Sequence, residues 1–168
     1  MVTVVGDDRP GIVAGVTRAL FDLGCNLEDV SSSILRGHFT MMVIVEAPED
    51  VSAREAETVL ETVARDMSLM VRVAEVADTH EPTTPPTHVV SVYGADKPGI
   101  VFRVAEALAS RGVNITDLRS RVLDSAGDAA YVVMMEVVAP DDIQEALSEV
   151  GGSLDVEVSV NRIESELL

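Results

Sequence analysis

The sequence predicts an α+β fold of two tandem ferredoxin-like βαββαβ domains, each a four-stranded antiparallel sheet carrying two helices on one face. Three observations predict it: an internal repeat at a spacing of 88 residues, apolar periods that switch between strand-like and helix-like, and turn signals between them. The repeat is dense. The stretch Val2-Thr-Val-Val-Gly-Asp-Asp-Arg-Pro-Gly-Ile-Val13 lies over Val90-Ser-Val-Tyr-Gly-Ala-Asp-Lys-Pro-Gly-Ile-Val101. Of the 35 positions from Val2 to Arg36, 16 are identical to their partners, among them Gly24 with Gly112, Asn26 with Asn114 and Asp29 with Asp117. Beyond a four-residue insertion around Ser125 to Asp128 the match resumes at a shift of 92, pairing Ala47-Pro48 with Ala139-Pro140. Domains at 1–78 and 88–168 follow, joined by residues 79–87, whose polar, proline-rich composition predicts a short semi-rigid spacer.

Within each copy the elements follow in order. Val2 to Val5 is an apolar strand stopped by Gly6. Pro10 then opens a helix with Ile12, Val13, Val16, Ala19, Leu20 and Leu23 on one face; proline suits the first helical turn and Gly24 the exit. Asn26 to Arg36 and Phe39 to Ala47 are strand-like around a turn at Gly37-His38, and Pro48 closes the hairpin. A second helix runs from Ser52 or Ala53 to Asp66 with Ala56, Val59, Leu60 and Val63 inward. Leu69, Val71 and Val73 alternate along a last strand, as Leu154, Val156, Val158 and Val160 do in the second copy. The third strand is apolar on both parities, Met41, Val43 and Val45 being interleaved with Met42 and Ile44. A strand wet on one side alternates, so part of the open sheet face is expected to be covered by another copy or subunit.

Composition narrows the function. With 47% hydrophobic and 24% charged residues the 168-residue chain can bury a core. A net charge of −17, shared evenly between the halves, opposes polyanions, so no direct nucleic-acid contact and no membrane partner are expected. No apolar run reaches the length of a spanning helix and Met1 leads straight into a strand, which predicts a cytoplasmic protein. One cysteine and three scattered histidines (His38, His80, His88) predict neither a disulfide framework nor a metal site, and no cofactor motif occurs. Ser31-Ser32-Ser33 lacks a histidine partner with an orienting acid, and the carboxylates form no recognisable acid/base pair, so no enzyme is expected. Cys25 reads best as a small buried hydrophobe and His38 as a surface residue.

The candidate site is the first strand-to-helix turn, Asp8-Arg9-Pro10-Gly11-Ile12, with its counterpart Asp96-Lys97-Pro98-Gly99-Ile100. Unpaired N–H groups at a helix start attract an anion, and glycine lets it approach the backbone. Asp8 or Asp96 suits an ammonium group, while Arg9 or Lys97 could steer a carboxylate. Asn26 and Asn114, followed by Leu27 and Ile115, open the second strands, and their amides both donate and accept. The same residues are also ordinary helix-start and turn chemistry, which spacing alone leaves open. Ser31 and Ser33 are replaced by Arg119 and Arg121, and a period of two puts both arginines on one side of the sheet as an exposed edge or a docking spot.

The Asp-Arg-Pro-Gly-Ile-Val and Asp-Lys-Pro-Gly-Ile-Val turns, followed by Gly-Cys-Asn-Leu-Glu-Asp and Gly-Val-Asn-Ile-Thr-Asp, resemble the ACT domain, a small regulatory module that senses amino acids. The resemblance spans nearly the whole chain. Gly24-Cys-Asn-Leu-Glu-Asp29 with Leu35-Arg-Gly-His-Phe-Thr-Met-Met42 further resembles the glycine cleavage system transcriptional repressor-like family, which is two ACT domains and little else. It implies a non-enzymatic regulator, possessing no cofactor, that takes a small amino acid such as glycine or serine at an interface between ACT domains. In that family the first turn of one domain and the Asn-led strand of a neighbour form the site. The implied residues are Asp8, Gly11, Ile12 and Asn26, with Asp96, Gly99, Ile100 and Asn114. Many ACT sites have Asn where this chain has Asp8 and Asp96, which leaves the charge of the ligand open. The expected partners are the effector, a second copy in a homodimer and a protein regulator that contacts DNA in its place. The alternative is a ligand-independent adaptor docking through the sheet faces and Arg119/Arg121.

Overall fold

The computed structural model describes residues 1–77, 84–125 and 128–164, with the side chains of 124, 125, 128 and 129 left aside. Residues 79–83 of the spacer and the centre of the insertion lie outside them; residues 84–87 form no helix or strand. The chain divides into two compact units, Met1–His80 and Glu81–Leu168. Unit 1 runs β1 (Val2–Asp7), α1 (Ile12–Asp22), β2 (Asn26–Leu35), β3 (His38–Glu46), α2 (Ala53–Met67) and β4 (Leu69–Val73). Unit 2 repeats the order as β5 (His88–Ala95), α3 (Ile100–Ala109), β6 (Asn114–Ser125), β7 (Asp128–Val138), α4 (Ile143–Leu154) and β8 (Val156–Arg162). Each sheet is antiparallel, in the order β2-β3-β1-β4 or β6-β7-β5-β8, so β2 and β6 are edge strands. Among the described residues no helix is long and apolar enough to cross a membrane.

The cores are built from the faces the alternation marks. Val2, Val4, Met41 and Val43 of one sheet pack with Ile12, Val16, Leu20 and Leu60; Val90, Val92, Val133 and Met135 of the other pack with Ile100, Val104, Leu108 and Leu147. Burying one such side chain contributes about 1.5–3 kcal/mol. On the opposite faces Met42 and Met134 are 54% and 52% exposed, so neither unit covers its own open face.

Four boundaries differ from the sequence expectation. Pro10 lies before α1 and not in its first turn, because Gly11 takes the N-cap at φ 98 and the helix begins at Ile12. Gly99 repeats this at φ 93. The β2–β3 turn is Arg36-Gly37, both at positive φ (50 and 85), the twist that suits a two-residue hairpin, so His38 already opens β3. Leu154 ends α4 instead of starting the last strand, because Asp155 turns left-handed at φ 55. Ser68 makes the same turn after α2, which extends to Met67.

Candidate functional site

The two first turns share one backbone. Gly11 and Gly99 accept the first helical hydrogen bonds, from the N–H groups of Gly15 (2.8 Å) and Arg103 (2.9 Å), and neither helix start has a side-chain cap or an acidic residue in its first turn. Positive φ is what requires glycine there, since a Cβ would meet only Met67 Cε at 3.5 Å from Gly11 and nothing within 4 Å at Gly99. Asp8, Arg9 and Pro10, like Asp96 and Pro98, are exposed. The Asp8 N–H donates to the Gly37 carbonyl at 2.8 Å, tying the turn to the β2–β3 hairpin, where His38 Nδ1 sits 3.1 Å from Asp7 Oδ1.

Five candidates have other work. Ile12 and Ile100 are each 1% exposed, so only their backbone belongs to the turn. Lys97, expected to steer a carboxylate, donates from Nζ to the Leu154 carbonyl at 3.2 Å and lies 3.2 Å from Asp155 Oδ2, holding the C-terminus of α4, where a cation is favourable. Leu27 and Ile115 are half-buried against their cores. Cys25 is a buried thiol at 7% exposure, as Val113 is at the same place in unit 2, and burial pushes its pKa up.

Asn26 is exposed at the other end of α1 from the turn, and a helix of 11 residues is about 16 Å long. The structure therefore does not bring Asp8 and Asn26 of one unit together. What surrounds Asn26 is a set of residues the sequence reading missed. An open groove along the outside of α1 joins it to Ala14, Thr17, Arg18, Phe21, Cys25 and Leu27. On its other side Asn26 pairs across the sheet with Glu46 and shares a second hollow with Glu46 and Glu49. Arg18 Nε donates to both Asp22 carboxylate oxygens at 2.9 Å, which holds its pKa above the ordinary guanidinium value, and its head lies 5.9 Å from the Phe21 ring centre. Asn26 thus lies between the Arg18–Asp22 ion pair and two carboxylates. The signal was the spacing 14, 17, 18, 21, one outer helix face.

Models of the ACT domain match residues 1–74 and 88–152, which together take in most of the chain. The chain belongs to the ACT-domain family. The glycine cleavage system transcriptional repressor of Escherichia coli (strain K12) is 24% identical over 168 residues, covering 96% of this chain and 88% of the repressor. A UPF0237 protein of Methanopyrus kandleri is 39% identical over 72 residues, 42% of this chain and 80% of that protein. A crystal structure of an unknown protein from Galdieria sulphuraria superposes with a TM-score of 0.76 at 27% identity, over 97% of this chain and 96% of that one. The likeness thus runs nearly end to end in relatives of similar length, one of them a transcriptional repressor.

Proposed function

We propose that this tandem ACT protein is a non-enzymatic sensor of a small amino acid, glycine or serine first, and that binding changes its contacts with a protein partner. The observation that carries the reading is the setting of Asn26, with Arg18, its Nε held by Asp22 and its terminal nitrogens left for a carboxylate, on one side and Glu46 and Glu49 on the other for an ammonium group. The uncapped N–H groups at Gly11 and Gly99 with Asp8 and Asp96 supply a far wall. Because α1 separates turn from asparagine within a unit, the site closes only when two ACT units pair antiparallel along their β2-type edges, which sets the turn of one beside the asparagine of the other. A ligand held by both walls binds the paired arrangement better, and each tenfold preference contributes about 1.4 kcal/mol to it.

The E. coli relative, a glycine cleavage system transcriptional repressor, suggests that the output reaches transcription of the glycine cleavage system. With a net charge of −17 this chain opposes DNA directly, so the contact runs through a DNA-binding partner. Thermal melting with each amino acid at millimolar concentration tests the reading. A true ligand raises the midpoint in the wild type and not in Asn26→Ala; no shift with any amino acid overturns it. The second reading, a ligand-independent adaptor, is favoured by exposed Met42, Met70 and Met134 on the open sheet faces, and predicts stable partner capture that no amino acid alters.

A further inference from the structure

We propose that the open sheet face of unit 2 docks on the same face of a second copy of this chain. The register of the strands lays the outward side chains in cross-strand rows: Arg121–Val132–Tyr93–Glu157, then Arg119–Met134–Ser91–Ser159. The face carries Arg119 and Arg121 on the β6 edge and Glu157 on the opposite β8 edge, with Tyr93 (53% exposed) and Met134 (52% exposed) between them, and its next row, Asp117–Glu136–Val89–Asn161, sets no carboxylate over another when reversed. Sheets stacked face to face lie about 10 Å apart with strands within about 30° of alignment. A two-fold axis parallel to the strands, passing between β7 and β5, reverses every row upon itself. Arg121 of one copy then lies over Glu157 of the other, and Val132 lies over Tyr93, each contact occurring twice as an isologous interface demands. Both charged side chains are exposed and long enough to meet across that gap despite the twist.

Charge selects this occupant and this unit. A chain with a net charge of −17 repels its copy, so self-association needs a face that is locally complementary to itself. Among the described residues no ion pair engages Arg121, whereas Arg119 Nε is held by Asp117 Oδ2 at 3.0 Å. Unit 1 fails the same operation. Its rows Ser31–Met42–Thr3–Arg72 and Ser33–Thr40–Val5–Met70 would set Arg72 and Met70 over serines, and Arg72 is already paired with Glu57 at 3.1 Å. Four strands spaced about 4.8 Å apart give a small interface, so the dimer is of the weak, micromolar class.

Sedimentation velocity of the full chain from about 1 to 200 µM tests it. The expected result is a concentration-dependent dimer, weakened about tenfold by Arg121→Glu and by Glu157→Arg, and restored when the two changes are combined. A wild type that stays monomeric throughout, singles that dimerise like the wild type, or a double variant no tighter than the singles would overturn the proposal. The dimer is expected with no amino acid present, and Arg121→Glu leaves any amino-acid-dependent rise in melting midpoint in place, so the two ideas fail separately.

Discussion

Asn26 and Asn114 open equivalent edge strands, follow equivalent glycines and precede equivalent bulges, between Leu27 and Asp29 and between Ile115 and Asp117. Their neighbours differ. The repeat puts Glu106 where unit 1 has Arg18 and Ala109 where it has Phe21, and across the sheet Asn114 faces Val138 where Asn26 faces Glu46. Unit 1 therefore sets the Arg18–Asp22 pair and Glu46 to either side of its amide, while unit 2 has Glu106 and Ser110 at those two helix positions, its α3 arginine one turn earlier at Arg103, and no carboxylate opposite Asn114 in β7. The duplication kept the backbone around both asparagines and this arrangement of charges around one. In unit 2 two arginines appear on the sheet face, at positions 119 and 121.

The largest effects test whether the units are energetically separate. Leu20 and Leu108 are both fully buried at the same place in their repeats. Leu20→Ala and Leu108→Ala should each cost about 3 kcal/mol, and hydrogen exchange should show the loss in the mutated unit. Equal loss in both units from either change would join what the comparison separates. Next comes the ligand. At a hundredfold excess over its dissociation constant an effector adds about 2.7 kcal/mol, read as a raised melting midpoint. Arg18→Glu, which installs the unit 2 residue, should remove that gain as completely as Asn26→Ala, while Asn114→Ala should leave most of it. Loss confined to Asn114→Ala would reverse the assignment of the binding unit.

The element order and both cores were legible because the repeat supplied each pattern twice and apolar periods of two and 3.6 fix which face is buried. The turn was legible as a candidate because Asp, Pro and Gly recur together. Helix limits at Pro10 and Leu154 were not, since they turn on left-handed φ at Gly11 and Asp155 that composition does not announce. Lys97 reads as ligand-steering in sequence; its partners lie 57 and 58 residues away, beyond any local rule. The charges around Asn26 were hidden for a related reason. Glu46 reaches it only through the β2–β3 register, which a bulge shifts, and the outer face of α1 looks like any solvated face until β2 is laid beside it.

A smaller effect asks whether the two turns are alike in backbone as well as in sequence. Alanine at a φ near +95 costs about 1–2 kcal/mol, and neither position has a clash to add. Gly11→Ala and Gly99→Ala should therefore destabilise their own units equally in denaturant titrations. A markedly larger loss at one would place the difference between the sites in the turns and not around the asparagines.

The smallest effect separates Cys25 from Val113, which share a burial of 7% exposure but not a proton. Burial raises the Cys25 pKa, so the neutral thiol is the form the folded unit prefers. A group whose folded pKa lies above its unfolded value contributes stability that is complete below the unfolded pKa and is lost as pH rises through the folded one. Above about pH 8.5, the ordinary thiol range, unit 1 should lose stability relative to a Cys25→Val variant, with the gap widening until the folded thiol also ionises. Unit 2, with valine already in place, should show no difference between the two proteins. Other titrating groups are common to both and cancel. A gap that stays constant with pH would mean that the thiol is ionised as easily folded as unfolded, and that position 25, unlike 113, is open to water.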